Sequence, residues 1–561
     1  MWSSRFSSDC IISTRIWPVH KRFIASLVIL IIASFVFCSP GEVIPIGDQF
    51  YDIIDALFVL NGQTVPSGSR PWTKAEAESE LSKLDRTAMS DAVSDIYLQV
   101  AGCLENDGST VRVGLTLSPE IYVHTNEEFN TEDNWPFDYN RRSQILVPSI
   151  DVSVGGFSFH TELSFGVGRA SAEDEFGHYG NLENFPVDVS DRLLVLSSGL
   201  YSPIFRSNIP KSSESEVQTP LFAWLTYAWD NGSVGFYKTK KEWGITKLGN
   251  YIYDKHVSSY SYVSAKFFNR VVNLDFSIMF PYSYLGGSAK SYEMEYQRVF
   301  LSHRLQFQIL KNLSVALSEN VMYWLKDGFE PLFANPALIY HNNVEDNLFN
   351  ALAHLEFEFV PLRGLRIYSQ IGVDQGSVPG FEDASQEDLA AGLTIGGEYF
   401  FLLNGGIASI ELEGAMVTPA MYRRGAQYPD FIIADNTIIN DNNYTMIPFF
   451  TYMGFPCGGD VHAARMGFSY RKGSLNSFFS STLIWKGEQS FMTPMAGHST
   501  FELTGDVKFY TILESGIEYR MCLAERFPIC LKTVIDGVFD PDQGFDIQVT
   551  VGASVNVSGS F

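Results

Sequence analysis

The sequence predicts an all-β transmembrane barrel of antiparallel strands, preceded by a small N-terminal α-helical bundle. Three observations predict it. The first is an apolar period of two that recurs along most of the chain, as in "FSFHTELSFGV", where Phe157, Phe159, Leu163, Phe165 and Val167 share one face and His160, Glu162 and Ser164 the other. The second is the chemistry of the polar phase. In "FNALAHLEFEF", residues 349–359, His354, Glu356 and Glu358 oppose Leu355, Phe357 and Phe359, and serial glutamates suit a water-filled lumen better than a sandwich core. The third is the aromatic content, 27 Tyr, 44 Phe and 9 Trp, which suits interfacial girdles.

The N-terminus differs from the rest. Lys21 and Arg22 precede the apolar run "FIASLVILIIASFVF", residues 23–37, which is followed by Ser39 and Gly41. The run is shorter than the ~18–20 residues of a spanning helix and has the pattern of a secretory signal peptide, expected over residues 1–41. A lipidated Cys38 is the alternative, against which the bulky Phe37 argues.

Residues 42–105 have helical spacing. Phe50, Ile53, Ile54, Leu57 and Leu60 make one stripe, stopped by Asn61-Gly62. Thr73 with Glu76 has capping-box spacing and starts a second helix at Lys74. Met89, Val93, Ile96 and Val100 line a third. These helices are expected to form a periplasmic bundle that buries its stripes internally or against the barrel mouth and supplies no strand.

From residue 106 to 561 the period is two. About 450 residues at roughly 25 per strand and loop gives some sixteen to twenty strands, an even number being expected. The chain closes on "GFDIQVTVGASVNVSGSF", with Phe545, Ile547, Val549, Val551, Ala553, Val555 and Val557 on the lipid phase. The last strand must pair with the first. Phe561 resembles the terminal aromatic signal read by the barrel-insertion machinery, an expected partner together with outer-membrane lipid. A monomer is expected.

A formal net charge of −25 excludes a nucleic-acid role. Cys10 and Cys38 fall in the expected leader, the other four cysteines are too scattered for a metal site, and no cofactor is expected. Cys522 and Cys530 flank the turn "LAERFP" with shared parity, so a cross-strand disulfide is expected there, with Cys103 and Cys457 free.

Several stretches together resemble the Wzi-type capsule-assembly family of outer-membrane proteins. They are "VIPIGDQFYDIIDALFVLNG" with "RPWTKAEAE", "YKTKKEWGITKLGNYIYD", "LSHRLQFQILKNLSVALSENVMYW", "ANPALIYHNNVEDNLFNALAHLEFEF" and "GLRIYSQIGVDQ". The order His303-Arg304, Glu319, Asn335-Pro336, Tyr340-His341, Asn350 and Asp374 follows the family pattern, while Lys240 stands where an arginine is more usual. The resemblance implies a non-enzymatic outer-membrane barrel of about eighteen antiparallel strands that binds surface or capsular polysaccharide and helps attach it to the cell. The alternative is a porin with an open lumen.

The polysaccharide-binding candidates are Tyr237, Lys238, Lys240, Lys241, Trp243, Arg304 and Asn350. A ring face packs on a sugar, and ammonium groups meet acidic polysaccharide. The competing reading of 237–243 is an aromatic girdle followed by solvated lysines. His303, His341, His354, Glu356 and Glu358 are the nearest approach to a catalytic cluster, but His303 lies on the apolar phase and the set does not converge. They are expected to be solvated lumen lining. Glu319 also falls on the apolar phase, which requires a bulge or a position beyond the membrane band. No nucleophile-base pair is evident, and no catalytic residue is expected.

Overall fold

The computed structural model describes residues 40–104, 111–126, 143–167, 205–209, 215–281, 297–325, 335, 349–375, 389–423, 430–439, 445–489, 500–523, 527–542 and 544–560. The predicted leader up to residue 39, and Phe561, lie outside them. Consecutive strands pair antiparallel through short turns at one end, such as Lys311-Asn312, Arg363-Gly364 and Asn404-Gly405. Asn404 and Gly405 both have positive φ, 49° and 76°, as a two-residue hairpin turn requires. Long connections lie at the other end. The result is a closed barrel with an eighteen-stranded wall among the described residues.

Closure is made by the last strand, Gly544–Ser560, which pairs with both Val111–Leu117 and Glu120–His124. Pro119 interrupts that first strand because it has no N–H to donate. The Asn208 side chain bridges the gap, donating to Ser118 O at 2.6 Å and accepting from Glu120 N at 2.8 Å.

The alternation read from the sequence separates the two faces. In Phe349–Leu362 the even positions from Asn350 to Val360 are buried, while Leu355 and Phe357 are exposed. In the closing strand Val551 is 51% exposed and its neighbour Thr550 is 7% exposed. The exposed apolar residues all round the wall form the lipid face. Trp229 and Phe267, 6.0 Å apart, sit beside short turns as girdle aromatics.

The three expected helices are present as α1 (Gln49–Leu60), α2 (Lys74–Leu81) and α3 (Asp91–Leu104). Their stripes meet in one cluster that includes Phe50, Ile54, Leu57, Leu81, Val93, Ile96 and Val100. Thr73 Oγ1 accepts from Glu76 N at 3.2 Å as a cap, but the Glu76 carboxylate turns away to the wall residue Lys266, at 3.1 Å. The helices cover the short-turn mouth. Ala56 and Val59 pack on Val360 and Phe400, Gly364 N donates to Val59 O at 2.9 Å, and Arg471 reaches Asp52 at 3.0 Å.

Two sequence expectations need correction. Cys522 and Cys530 are free thiols. The register sets Cys522 opposite Pro528 and Cys530 opposite Arg520, so they are diagonal neighbours, roughly 7–8 Å apart and beyond disulfide reach. Glu319 needs no bulge: it lies in regular register opposite His303 on the outward face, with His303 Nε2 3.4 Å from Glu319 Oε2. The cross-strand pair lowers the cost of each group facing outward.

Candidate functional site: the filled lumen

A strand that alternates polar residues toward the barrel axis creates a lumen that must hold water or protein. Here protein enters from both ends. From the short-turn mouth, residues 64–73 rise between α1 and α2 into the barrel, with Val65 N donating to Glu358 Oε1 at 3.3 Å and Gly68 N to Gln306 Oε1 at 3.0 Å. From the other end, residues 240–259 fold inward instead of extending the wall. The two meet as a two-stranded bridge in which Glu242 pairs with Arg70 and Trp243 with Ser69, and Gly244 N donates to Gly68 O at 2.9 Å.

One wall carboxylate joins all three parts. Asp275 Oδ2 accepts from Lys241 Nζ at 2.8 Å, from Trp243 Nε1 at 2.9 Å and from the Ser69 hydroxyl, while Oδ1 accepts from Ser264 Oγ at 2.7 Å. Beside it, Lys266 Nζ donates to Ser69 O, Pro71 O and Glu76. Burial pushes the Glu76 carboxyl up to about 7, against the opposing pull of Lys266. Neighbouring Glu80, also buried, is raised as well despite Lys83.

Above the bridge the lumen is packed with aromatic rings. Trp243, Tyr251, Tyr253, Tyr260, Tyr422 and Phe455 are all at most 1% exposed. Burying a phenol requires a partner for its hydroxyl, and each tyrosine has one: Thr394 Oγ1 for Tyr251, Ser302 Oγ for Tyr253, Met453 O for Tyr260 and Tyr251 O for Tyr422. Glu413 fixes the loop backbone, accepting from Lys247 N at 2.9 Å and Leu248 N at 2.7 Å.

The predicted site residues do not form one exposed surface. Tyr237 is 8% exposed and stacks on Tyr262, 4.9 Å away. Lys241 and Trp243 belong to the Asp275 junction. Arg304 clamps Glu356 with two bonds of 2.7 Å, and Asn350 is fully buried. Lys238 donates to Pro220 O at 2.7 Å and Lys240 to Lys255 O at 3.1 Å, both side chains keeping some exposure. The girdle reading of Tyr237 and Trp243 also fails, because both point inward. His354, Glu356 and Glu358 face the lumen as expected but are buried rather than solvated, Glu356 and Glu358 under residues 64–70 and His354 beside Tyr251 of the inserted loop. Arg304, Gln306, Glu356, Gln370 and Gly68 enclose a water-sized cavity. His341 lies outside the described residues.

Asp275 and Ser69 were missed. The signal for Asp275 was present in "VNLDFSIM", where parity sends Asn273, Asp275 and Ser277 inward between Leu274, Phe276 and Ile278. Among the described residues no cluster of three or more His, Cys, Asp or Glu side chains has metal-site geometry.

No protein-family model matches the chain, and no curated protein matches it. Solved structures do. Wzi of Escherichia coli, an outer-membrane protein involved in group 1 capsule assembly and described as a carbohydrate-binding β-barrel, is 13% identical with a TM-score of 0.57, over 93% of this chain and 100% of Wzi. OpdK of Pseudomonas aeruginosa is 8% identical with a TM-score of 0.36, over 80% of this chain and 99% of its own. OccAB4 of Acinetobacter baumannii is 9% identical at 0.38, over 81% and 99%. The three-dimensional match to Wzi runs over nearly the whole chain: the protein has the closed β-barrel fold seen in Wzi.

Proposed function

We propose that this chain is a non-enzymatic outer-membrane barrel that binds surface or capsular polysaccharide and helps attach or assemble it, with its helices on the periplasmic side. The filled lumen carries the reading. A barrel whose axis holds a hydrogen-bonded bridge and a layer of fully buried aromatic rings is narrowed along the described segments, which disfavours the porin alternative. The Wzi-type fold and the short turns beside the helices support the orientation, since outer-membrane barrels place short turns in the periplasm. Lys240 and Lys255, on the inserted loop, are the candidate cations for an acidic polysaccharide, Lys255 being 48% exposed at its side chain.

Two measurements test this. In planar bilayers the intact protein is expected to show no large steady conductance, and an open channel would replace the attachment reading with the porin. In cells, deletion of the gene is expected to release surface polysaccharide into the medium. Unchanged retention of polysaccharide would refute the attachment role.

A further inference from the structure

We propose that residues 64–84 at the short-turn mouth and the inserted loop 240–259 are one cooperative device, in which displacing either segment releases the other on the opposite side of the barrel. The inference goes beyond polysaccharide binding and is testable without any glycan.

The bridge is the physical basis. Three successive pairings, Glu242 with Arg70, Trp243 with Ser69 and Gly244 N with Gly68 O, join two segments that enter from opposite mouths. The crossing is closed to side chains. A Cβ on Gly244 would lie 1.7 Å from Gln370 Nε2 and 2.3 Å from Asn250 Oδ1, and its φ is +117°, while one on Gly68 would lie 2.9 Å from an Arg304 guanidinium nitrogen. Gly244 is therefore required by its backbone conformation as well as by space, while a side chain at Gly68 must displace the Arg304 guanidinium.

The polar groups at the crossing are shared. Ser69 reaches Asp275 next to Lys241 and Trp243, so each segment completes the other's hydrogen bonds to the wall. Lys266 draws three acceptors from residues 69–76, and Arg70 pairs with Asp55 of α1, which in turn contacts the wall residue Arg366. Withdrawing the loop removes two donors from Asp275 and the ladder partner from residues 68–70. Withdrawing residues 68–70 takes the Ser69 carbonyl from Lys266 and breaks the Arg70–Asp55 tie to α1. A buried polar network is stable when complete and costly when half satisfied, so the two segments are expected to dock or release together. The bridge thus links the loop side to the helical face by a contact with two discrete states, the requirement for coupling between distant sites.

The test is hydrogen exchange of the full mature chain in detergent micelles, read by mass spectrometry. Gly244→Val is a substitution in the loop that also presses on the wall residue Gln370. The expected result is exchange at least tenfold faster across residues 64–84, with the wall strand 349–362 unchanged. In the reciprocal variant, Gly68→Val, exchange across 241–254 is expected to rise by a similar factor. Gly414→Ala, on the outward face of the wall where a Cβ meets only an ordinary contact at 3.9 Å, is the control and leaves both regions as they were. Should either valine loosen the wall itself, Trp243→Phe takes its place, removing the indole donor to Asp275 together with part of the ring buried against Tyr253. It is expected to speed exchange in both segments while heat-modifiable gel mobility persists. Faster exchange confined to the substituted segment, in these variants, would overturn the proposal.

Discussion

Lys241 Nζ lies 2.8 Å from Asp275 Oδ2 with the two side chains 0% and 3% exposed, so an ammonium carried in by a loop is neutralised by a wall carboxylate inside the barrel. Lys266 lies close enough to act on the same carboxylate. Removing one partner of a buried pair leaves an uncompensated charge and typically costs about 3–5 kcal/mol. Asp275→Ala is therefore expected to undock the loop, and Asp275→Asn, which keeps an acceptor, to do so less. Trypsin reads this directly: cleavage after Lys247 and Lys255 is expected to accelerate in the order wild type, Asn, Ala, in protein that still shifts on boiling. Equal cleavage in all three would show that the pair does not hold the loop.

The closing strand tests the two faces. Val551→Asp places a charge on the lipid side at a position 51% exposed, whereas Thr550→Asp places it in the lumen. An acid facing lipid costs less than the roughly 2–4 kcal/mol of lysine or arginine at a bilayer midplane, but still destabilises. The yield of heat-modifiable barrel in membranes is expected to fall for Val551→Asp and to hold for Thr550→Asp.

Docking of the helices is expected to weaken as pH rises from about 4.5 to about 7. The docked Glu76 carboxyl titrates near 7 because it is buried, against an ordinary value of 4.5, so the docked state binds more protons than the undocked state within that window and is favoured at its acid end. Glu80 shifts in the same direction. Asp85, held down to about 2 by Lys311 and Thr87, is ionised in both states throughout and does not contribute there. Protease cleavage within residues 40–104 is the readout. It is expected to increase from pH 5 to 7 in the wild type and to depend less on pH in Glu76→Gln, where Lys266 retains the carbonyls of Ser69 and Pro71.

Thiol chemistry checks the corrected disulfide. Cys103 and Cys522 are exposed, Cys530 is half-buried, and burial pushes the Cys457 thiol up to about 12. Unreduced protein is expected to take iodoacetamide at Cys103 and Cys522 first and at Cys457 last, because the thiolate is the reactive form. A peptide linking Cys522 to Cys530 in the unreduced digest would contradict the register.

The sequence by itself determined the wall. Side chains alternate strictly along a strand, so the inward phase of 349–359 and the outward phase of 545–557 are fixed by local geometry and by the contrast between lipid and lumen, and the helical stripes of 50–60 and 91–104 by the 3.6 period. Tertiary structure decided what occupies the axis. Parity could say that Asp275, Arg304, Glu356 and Glu358 face inward, but not whether they meet water or protein, because that depends on segments distant in the chain. Residues 64–70 supply partners to Glu358 and Gln306 more than 200 positions away, and no local pattern encodes that pairing. The same holds for His303 and Glu319. Each reads alone as a costly polar group on the lipid phase, and only the register between adjacent strands, which depends on turn geometry and the bulge near Gln308, sets them opposite one another.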